Sequence, residues 1–283
     1  TYTLAYGILG LVVCAGAVLA LNGPLRGALY AGSSVAIEHR GVASLLAPRT
    51  HGGAIVWSPQ DCVLTADTQV GKPIDFDRCE VAPNKPAGTR RVVVVGNSYS
   101  AAQFEMFEAL SRDTGIRVAV TSSFGASPVP EVPNETPWRG ANEYYWSTVF
   151  PGLLADLGAG DVVVMVNDLA ALLPPARSAH YDQQLRRLQA GLLRLASELE
   201  TRGIGLVFQT ANPFIREAGC TPDMAKRQWF HLTGHPGCRY YTRPASLARR
   251  QPVDAVLSAV RARHANFRVL DLFPLLCPDT VCG

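Results

Sequence analysis

Three residues are set where they could share the work of an acyl transfer: Ser98, Gly125 and Asn167. Ser98 follows the run Arg91-Val-Val-Val-Val-Gly96 and opens a stretch of helical periodicity. A serine at a strand-to-helix turn lies beside backbone N–H groups that the helix leaves unpaired and beside its positive dipole end, both suited to an oxyanion. Gly125 can present a backbone N–H with no side chain in the way, and Asn167 can donate from its amide, which would give a tetrahedral intermediate two further hydrogen bonds. Each residue also has a plain structural use. Ser98 and Asn167 can be helix N-caps, and Gly125 can serve turn geometry, with the N–H of Ala126 or Ser127 as substitute donors.

The elements that must position these residues follow from hydrophobic pattern. Arg91–Gly96, Ile116–Val120, Asp161–Val166, Gly205–Phe208 and Phe267–Leu270 are short β-branched or apolar runs of the kind buried in a parallel sheet. Between them, Tyr99–Arg112 and Tyr181–Arg202 carry the 3.6-residue period, the second through Leu185, Leu188, Leu192, Leu195 and Leu199. Strands alternating with helices predict an α/β domain of three α/β/α layers around a central parallel sheet over residues 90–283. Ligands in such sheets bind beyond the carboxyl ends of the strands, where all three residues fall.

Upstream, Tyr2–Leu21 is twenty residues without a charge, the length of a membrane-crossing helix, and residues 1–22 are expected to span a bilayer. A secretory signal peptide is the alternative, but a basic n-region is missing. Residues 23–89, rich in Gly and Pro, are expected to be a linker region outside the cytoplasm. Apart from Cys14, the cysteines fall into three local pairs, Cys62 with Cys79, Cys220 with Cys238, and Cys277 with Cys282. Disulfides of this kind persist in an oxidising compartment; a zinc site is the competing reading, though no Cys-x-x-Cys occurs. The net charge of +3 is spread over 26 scattered Lys and Arg, which argues against nucleic acid as a partner. No phosphate-binding glycine loop or metal-ligand cluster stands out, so no cofactor and no metal are expected.

The three positions, in this order, resemble the SGNH (GDSL) hydrolases and acyltransferases, named for Ser, Gly, Asn and His in separate blocks. The family's Gly-Asp-Ser reads Gly96-Asn97-Ser98 here, its second-block glycine falls on Gly125, and its Gly-x-Asn on Met165-Val166-Asn167. Met165 in place of the glycine suggests a crowded third block. The layout is similar to the SGNH domain fused behind the membrane acyltransferase-3 domain of bacterial O-acetyltransferases. That resemblance implies a flavodoxin-like fold at the inner membrane, with the main domain in the periplasm. It further implies an acyl donor delivered from an attached or associated membrane domain, and transfer of an acetyl group to a carbohydrate such as lipopolysaccharide O-antigen. The family's Asp-x-x-His block, which supplies base and orienting acid, occurs nowhere in the 283 residues. Family domains place it after the late cysteine pair, which implies that it lies beyond Gly283.

Two other readings stay open: a membrane-anchored carbohydrate esterase with the same nucleophile, and a non-catalytic glycan-binding module. His39, His51, His180, His231, His235 and His264 stand in no catalytic context, and Asp271, following a strand, has no neighbouring His and reads as a loop or cap residue. Trp138, Tyr144, Tyr145 and Trp146 form an aromatic cluster after the second strand, with core packing and sugar stacking as its two uses.

Overall fold

The computed structural model describes residues 11–17, 30–31, 50–51, 54–55, 62–81, 90–133, 137–169, 172, 178–212, 230–231 and 243–278. Two compact units divide the chain. The smaller comprises Thr1–Ala47, Pro213–Arg243 and Asp279–Gly283; its described parts are a helix over 11–17 and an antiparallel pairing of Tyr30–Ala31 with Phe230–His231. Most of the expected membrane span lies outside the described residues. Among the described residues no helix is long and apolar enough to cross a membrane, so the transmembrane helix expected over 1–22 finds no support in the structure.

The larger unit comprises Pro48–Asn212 and Pro244–Pro278. At its centre five strands, β1 (Arg91–Gly96), β2 (Arg117–Val120), β3 (Val162–Val166), β4 (Gly205–Gln209) and β5 (Phe267–Leu270), pair in parallel in the order β2-β1-β3-β4-β5. This is an α/β fold on a parallel sheet, as the alternating pattern predicts, with each strand within a residue of its expected place. Register explains why the three central runs are apolar at successive positions rather than alternating. Val92, Val94, Val118, Val120, Val164 and Val166 fill one face under Phe104 and Phe107. Val93, Val95, Ala119, Val163, Met165, Leu206 and Phe208 are buried on the other. Each valine taken from water contributes about 1.5 kcal/mol or more, so a polar substitution in β1 should destabilise the sheet by at least that amount.

The helix expected over Tyr99–Arg112 is two helices. The chain leaves β1 into α1 (Ser98–Ala102), breaks at Gln103 (φ −96°, ψ 13°), and continues as α2 (Phe104–Thr114). Gly115, at φ +74°, ends α2 in the left-handed conformation that favours glycine. After β2 come α3 (Arg139–Tyr144), a π turn over Tyr145–Val149 and α4 (Phe150–Ala155). α5 (Ala179–Thr201), capped by Ser178, buries Leu188, Leu192, Leu195 and Leu199 and packs on β4, while α6 (Arg243–Arg261) and α7 (Phe273–Leu276) flank β5.

Residues 62–81, part of the expected linker, belong to the same compact unit. Val63–Leu64 pairs in parallel with Ser122–Ser123, and the segment is closed by a Cys62–Cys79 disulfide. The first expected cysteine pair is therefore present. Closing a 17-residue separation contributes about 3 kcal/mol on the chain-entropy account. Cys277 is also disulfide-bonded, to a partner outside the described residues, where Cys220, Cys238 and Cys282 lie; Cys14 is free.

Candidate active site

Strand order puts β1 between β2 and β3, so the connections out of the neighbours β1 and β3, to β2 and to β4, diverge to opposite sides at their carboxyl ends. That divergence opens the crevice in which doubly wound sheets hold ligands. Ser98 leaves β1 there, Gly125 lies beyond β2, and Asn167 leaves β3 beside it.

Asn97, not Ser98, is the N-cap of α1: its Oδ1 accepts from Tyr99 N at 3.0 Å, and its carbonyl accepts from Ser100 N at 2.9 Å. Asparagine caps a helix as well as aspartate does, so the change from the family's Gly-Asp-Ser keeps this local role without a buried charge. Ser98 is thereby the first helical residue. Among the described residues neither its hydroxyl nor its N–H has a hydrogen-bond partner, and the side chain is partly exposed. A hydroxyl and a backbone N–H stand side by side on one residue.

Gly96 makes the tight exit possible. A Cβ there would overlap the Val166 carbonyl oxygen, to which Asn97 N donates at 3.3 Å. The close approach in the third block therefore falls at Val166, while Met165 packs into the core. Asn167, 4% exposed, accepts from Leu169 N at 3.1 Å and donates from Nδ2 to Ala126 O at 2.8 Å. It turns its own strand end and ties it to the loop of the second block. That loop is bound to the first block as well, Ser122 Oγ donating to Asn97 O at 2.7 Å. Gly125 shapes it with a left-handed φ of +68°. The structure thus brings the three predicted residues to adjacent strand ends on one edge of the sheet.

Other supports were not predicted from sequence. Gly96 N donates to the Tyr145 hydroxyl at 3.2 Å, Tyr145 and Thr121 hydroxyls lie 2.9 Å apart, and Thr121 Oγ1 donates to Val94 O at 3.0 Å. Thr121 has a single hydroxyl hydrogen and gives it to Val94, so Tyr145 must donate to Thr121. Complete burial pushes the Tyr145 phenol up to about 12, which keeps the proton that this relay requires. Ser123 Oγ donates to Asn142 Oδ1 at 2.5 Å, and Asn142 Nδ2 to Phe124 O at 3.2 Å. From the disulfide-closed segment, Leu64 O accepts from Phe124 N at 2.8 Å and Asp67 Oδ1 accepts from Ala141 N at 2.8 Å in the first turn of α3. Tyr99, beside Asp168, has its phenol pushed up by burial and then by that negative charge.

The described histidine side chains lie elsewhere. His264 pairs with Glu200 at 2.8 Å just before β5 begins, at the opposite edge of the sheet from Ser98, and His180 bonds Gln184 in the first turn of α5. Asp271 forms a two-pronged pair with Arg250, at 3.0 and 2.7 Å, and caps Phe273 N at 2.9 Å. The aromatic cluster divides: Tyr145 and Trp146 are buried, while Trp138 meets Phe124 edge-on with centroids 6.4 Å apart. Among the described residues no group of His, Cys, Asp and Glu could hold a metal.

The profile of the family described as "SGNH domain (fused to AT3 domains)" matches residues 61–283. Among solved structures, the chain is similar to an acetylxylan esterase of Geobacillus stearothermophilus, a catalytic mutant (13% identity, 66% of this chain and 78% of that one, TM-score 0.38). It is also similar to a carbohydrate esterase family 2 enzyme with a carbohydrate-binding domain from Corynascus thermopiles (13% identity, 68% and 59%, TM-score 0.37). No curated protein matches the chain.

Proposed function

We propose an acyl-transfer function on the premise that this chain belongs to the family of SGNH domains fused to AT3 domains. In this reading Ser98 takes an acyl group, most simply acetyl, and passes it to a hydroxyl of a cell-surface polysaccharide. The observation that carries it is the placement of Ser98 one residue inside the cap, with hydroxyl and N–H both unengaged among the described residues.

Chemically, Ser98 Oγ attacks the acyl carbonyl while its proton passes to a base. The resulting oxyanion is held by Ser98 N–H and the Asn167 amide, and the donor's leaving group departs as the carbonyl re-forms. A sugar hydroxyl then attacks the acyl-serine and returns Ser98 to its starting state. The base belongs to the Asp-x-x-His block, which has no counterpart among the 283 residues. The Cys62–Cys79 bond supports a periplasmic or other extracytoplasmic setting, with the acyl donor supplied from an attached or associated membrane domain. Hydrolysis to free acid differs only in water taking the place of the sugar.

A fluorophosphonate probe tests the reading in the full-length protein that carries this chain. Labelling is expected, and Ser98→Ala should abolish it while circular dichroism stays unchanged. Turnover should fall by about 10³-fold or more. Absence of labelling in the unaltered protein would sink both enzymatic readings and leave a glycan-binding module.

A further inference from the structure

Beside the candidate active site is a cleft of about 740 Å³ to which the steps at Ser98 assign no role; it is lined by Ser127, Arg139, Asn142, Glu143, Trp146 and Ser147, with Pro130, Val132 and Pro133. We propose that this cleft holds the acceptor, as an uncharged sugar unit of a glycan.

Position is the first argument. Ser127 follows Ala126, whose carbonyl receives the Asn167 amide, so one wall of the cleft continues the loop that joins the second and third blocks. The other wall is α3 and the π turn, which reach the nucleophile turn through Tyr145 and Gly96. Within the turn, Tyr145 faces the strand ends while its neighbours Trp146 and Ser147 line the cleft. A π turn adds a residue to a helical turn and is a frequent mark of functional sites.

Chemistry is the second. Hydroxyl, amide and carboxylate groups alternate with an indole and prolines, which matches a sugar's ring of hydroxyls and its apolar face. An acyl chain would need unbroken apolar walls. Arg139 and Glu143 pair at 2.7 Å and neutralise each other, so the lining carries no net charge and favours a neutral ligand over a phosphorylated or acidic one. Trp146 lines the cleft, and its buried indole N–H has no partner among the described residues. The volume is far larger than an acetyl group requires and suits one or two sugar rings.

Because this inference deepens the acyl-transfer reading, its test does not depend on turnover. Saturation-transfer NMR is recorded on the chain with maltotriose, mannotriose and xylotriose as probes, with glucose 6-phosphate as the charged control. A signal with at least one neutral trisaccharide and none with the phosphate is expected. Ser147→Phe, at an exposed position that projects bulk into the cleft, should reduce it at least tenfold. Trp146→Phe, which keeps the ring and removes the N–H, should reduce it by a smaller factor. A signal unchanged in Ser147→Phe, or absent with all three trisaccharides, would overturn the assignment. Fluorophosphonate labelling of the full-length protein separates the two ideas. Labelled protein with no signal defeats the cleft alone, and unlabelled protein that still gives the signal defeats acyl transfer and keeps the cleft.

Discussion

The same three strands, β2, β1 and β3, solve the problem of their polar ends in two ways. At their starts, charges pair. Arg91 Nε lies 3.2 Å from Asp161, whose carboxylate also accepts from Arg91 N at 2.7 Å and Gly158 N at 2.9 Å, and Arg117 is held by Glu80 and Asp77. At their finishes, Asn97, Thr121, Ser122 and Asn167 bind backbone groups through neutral amides and hydroxyls. A saturated ion pair leaves nothing over, whereas a neutral network can fix a turn tightly and leave one hydroxyl and one N–H on Ser98 without partners among the described residues. The difference separates the part of the sheet that sets register from the part for which chemistry is proposed.

If that division is right, the two ends should fail differently. Asn167→Ala carries the largest expected effect. Losing an oxyanion donor lowers kcat by about 10²–10³-fold, while losing the bond to Ala126 lowers stability by about 1 kcal/mol. Steady-state kinetics alongside urea denaturation reads both. A variant that loses stability and keeps kcat would place Asn167 with the structural ends.

Asp161→Ala is the converse. The side chain is 6% exposed and its removal leaves Arg91 and two backbone N–H groups without their acceptor, but Arg91 is 30% exposed and can turn to water. The expected loss is therefore toward the low side, about 3 kcal/mol, seen as a lower urea midpoint at unchanged slope. Fluorophosphonate labelling of Ser98 per folded molecule should not change. A drop in labelling would show that the strand starts reach the site.

Much of this division was legible in the sequence, and its exceptions have a common cause. Gly96-Asn97-Ser98, Gly125 and Asn167 each follow a strand whose apolar run is visible within a few residues, so their shared edge follows from local pattern. Tyr145 reaches Gly96 across 49 positions and Asp67 reaches Ala141 across 74, and no period or spacing announces such contacts. The segment 62–81 reads as a linker because its strand is two residues long, too short to alternate, and takes its partner from a distant loop. Ser98 as a possible cap was settled by one residue of phase, which only the Asn97 side chain bonding to Tyr99 N decides. The break at Gln103 was hidden because Tyr99 and the apolar residues of α2 keep a helical period across it.

The comparison has a boundary along the same edge. At the finishes of β4 and β5 charges return: Arg250 bridges Asp271 and Asp254, Thr210 Oγ1 donates to Asp254 at 2.9 Å, and the guanidinium lies 4.7 Å over the Phe273 ring. Asp271 is the acid that its place after a strand invites one to add to a catalytic set, and its bonds assign it to architecture instead. The Arg250 hydrogen bonds hold its carboxyl below the ordinary Asp value, with burial opposing them. A folded-state pKa below the unfolded one means stability that is fully present above the ordinary Asp pKa, about 3.9, and lost as pH falls through the lower folded value. Melting temperature followed from pH 7 to pH 2 should therefore drop on the acid side. In Asp271→Asn that limb should be shallower, while Ser98 labelling at pH 7 stays as in the unaltered chain. This is the smallest of the effects, since the group is partly exposed and solvent screens the pair. Loss of labelling in Asp271→Asn would extend the chemical part of the edge from β3 to β5 and move the boundary drawn here.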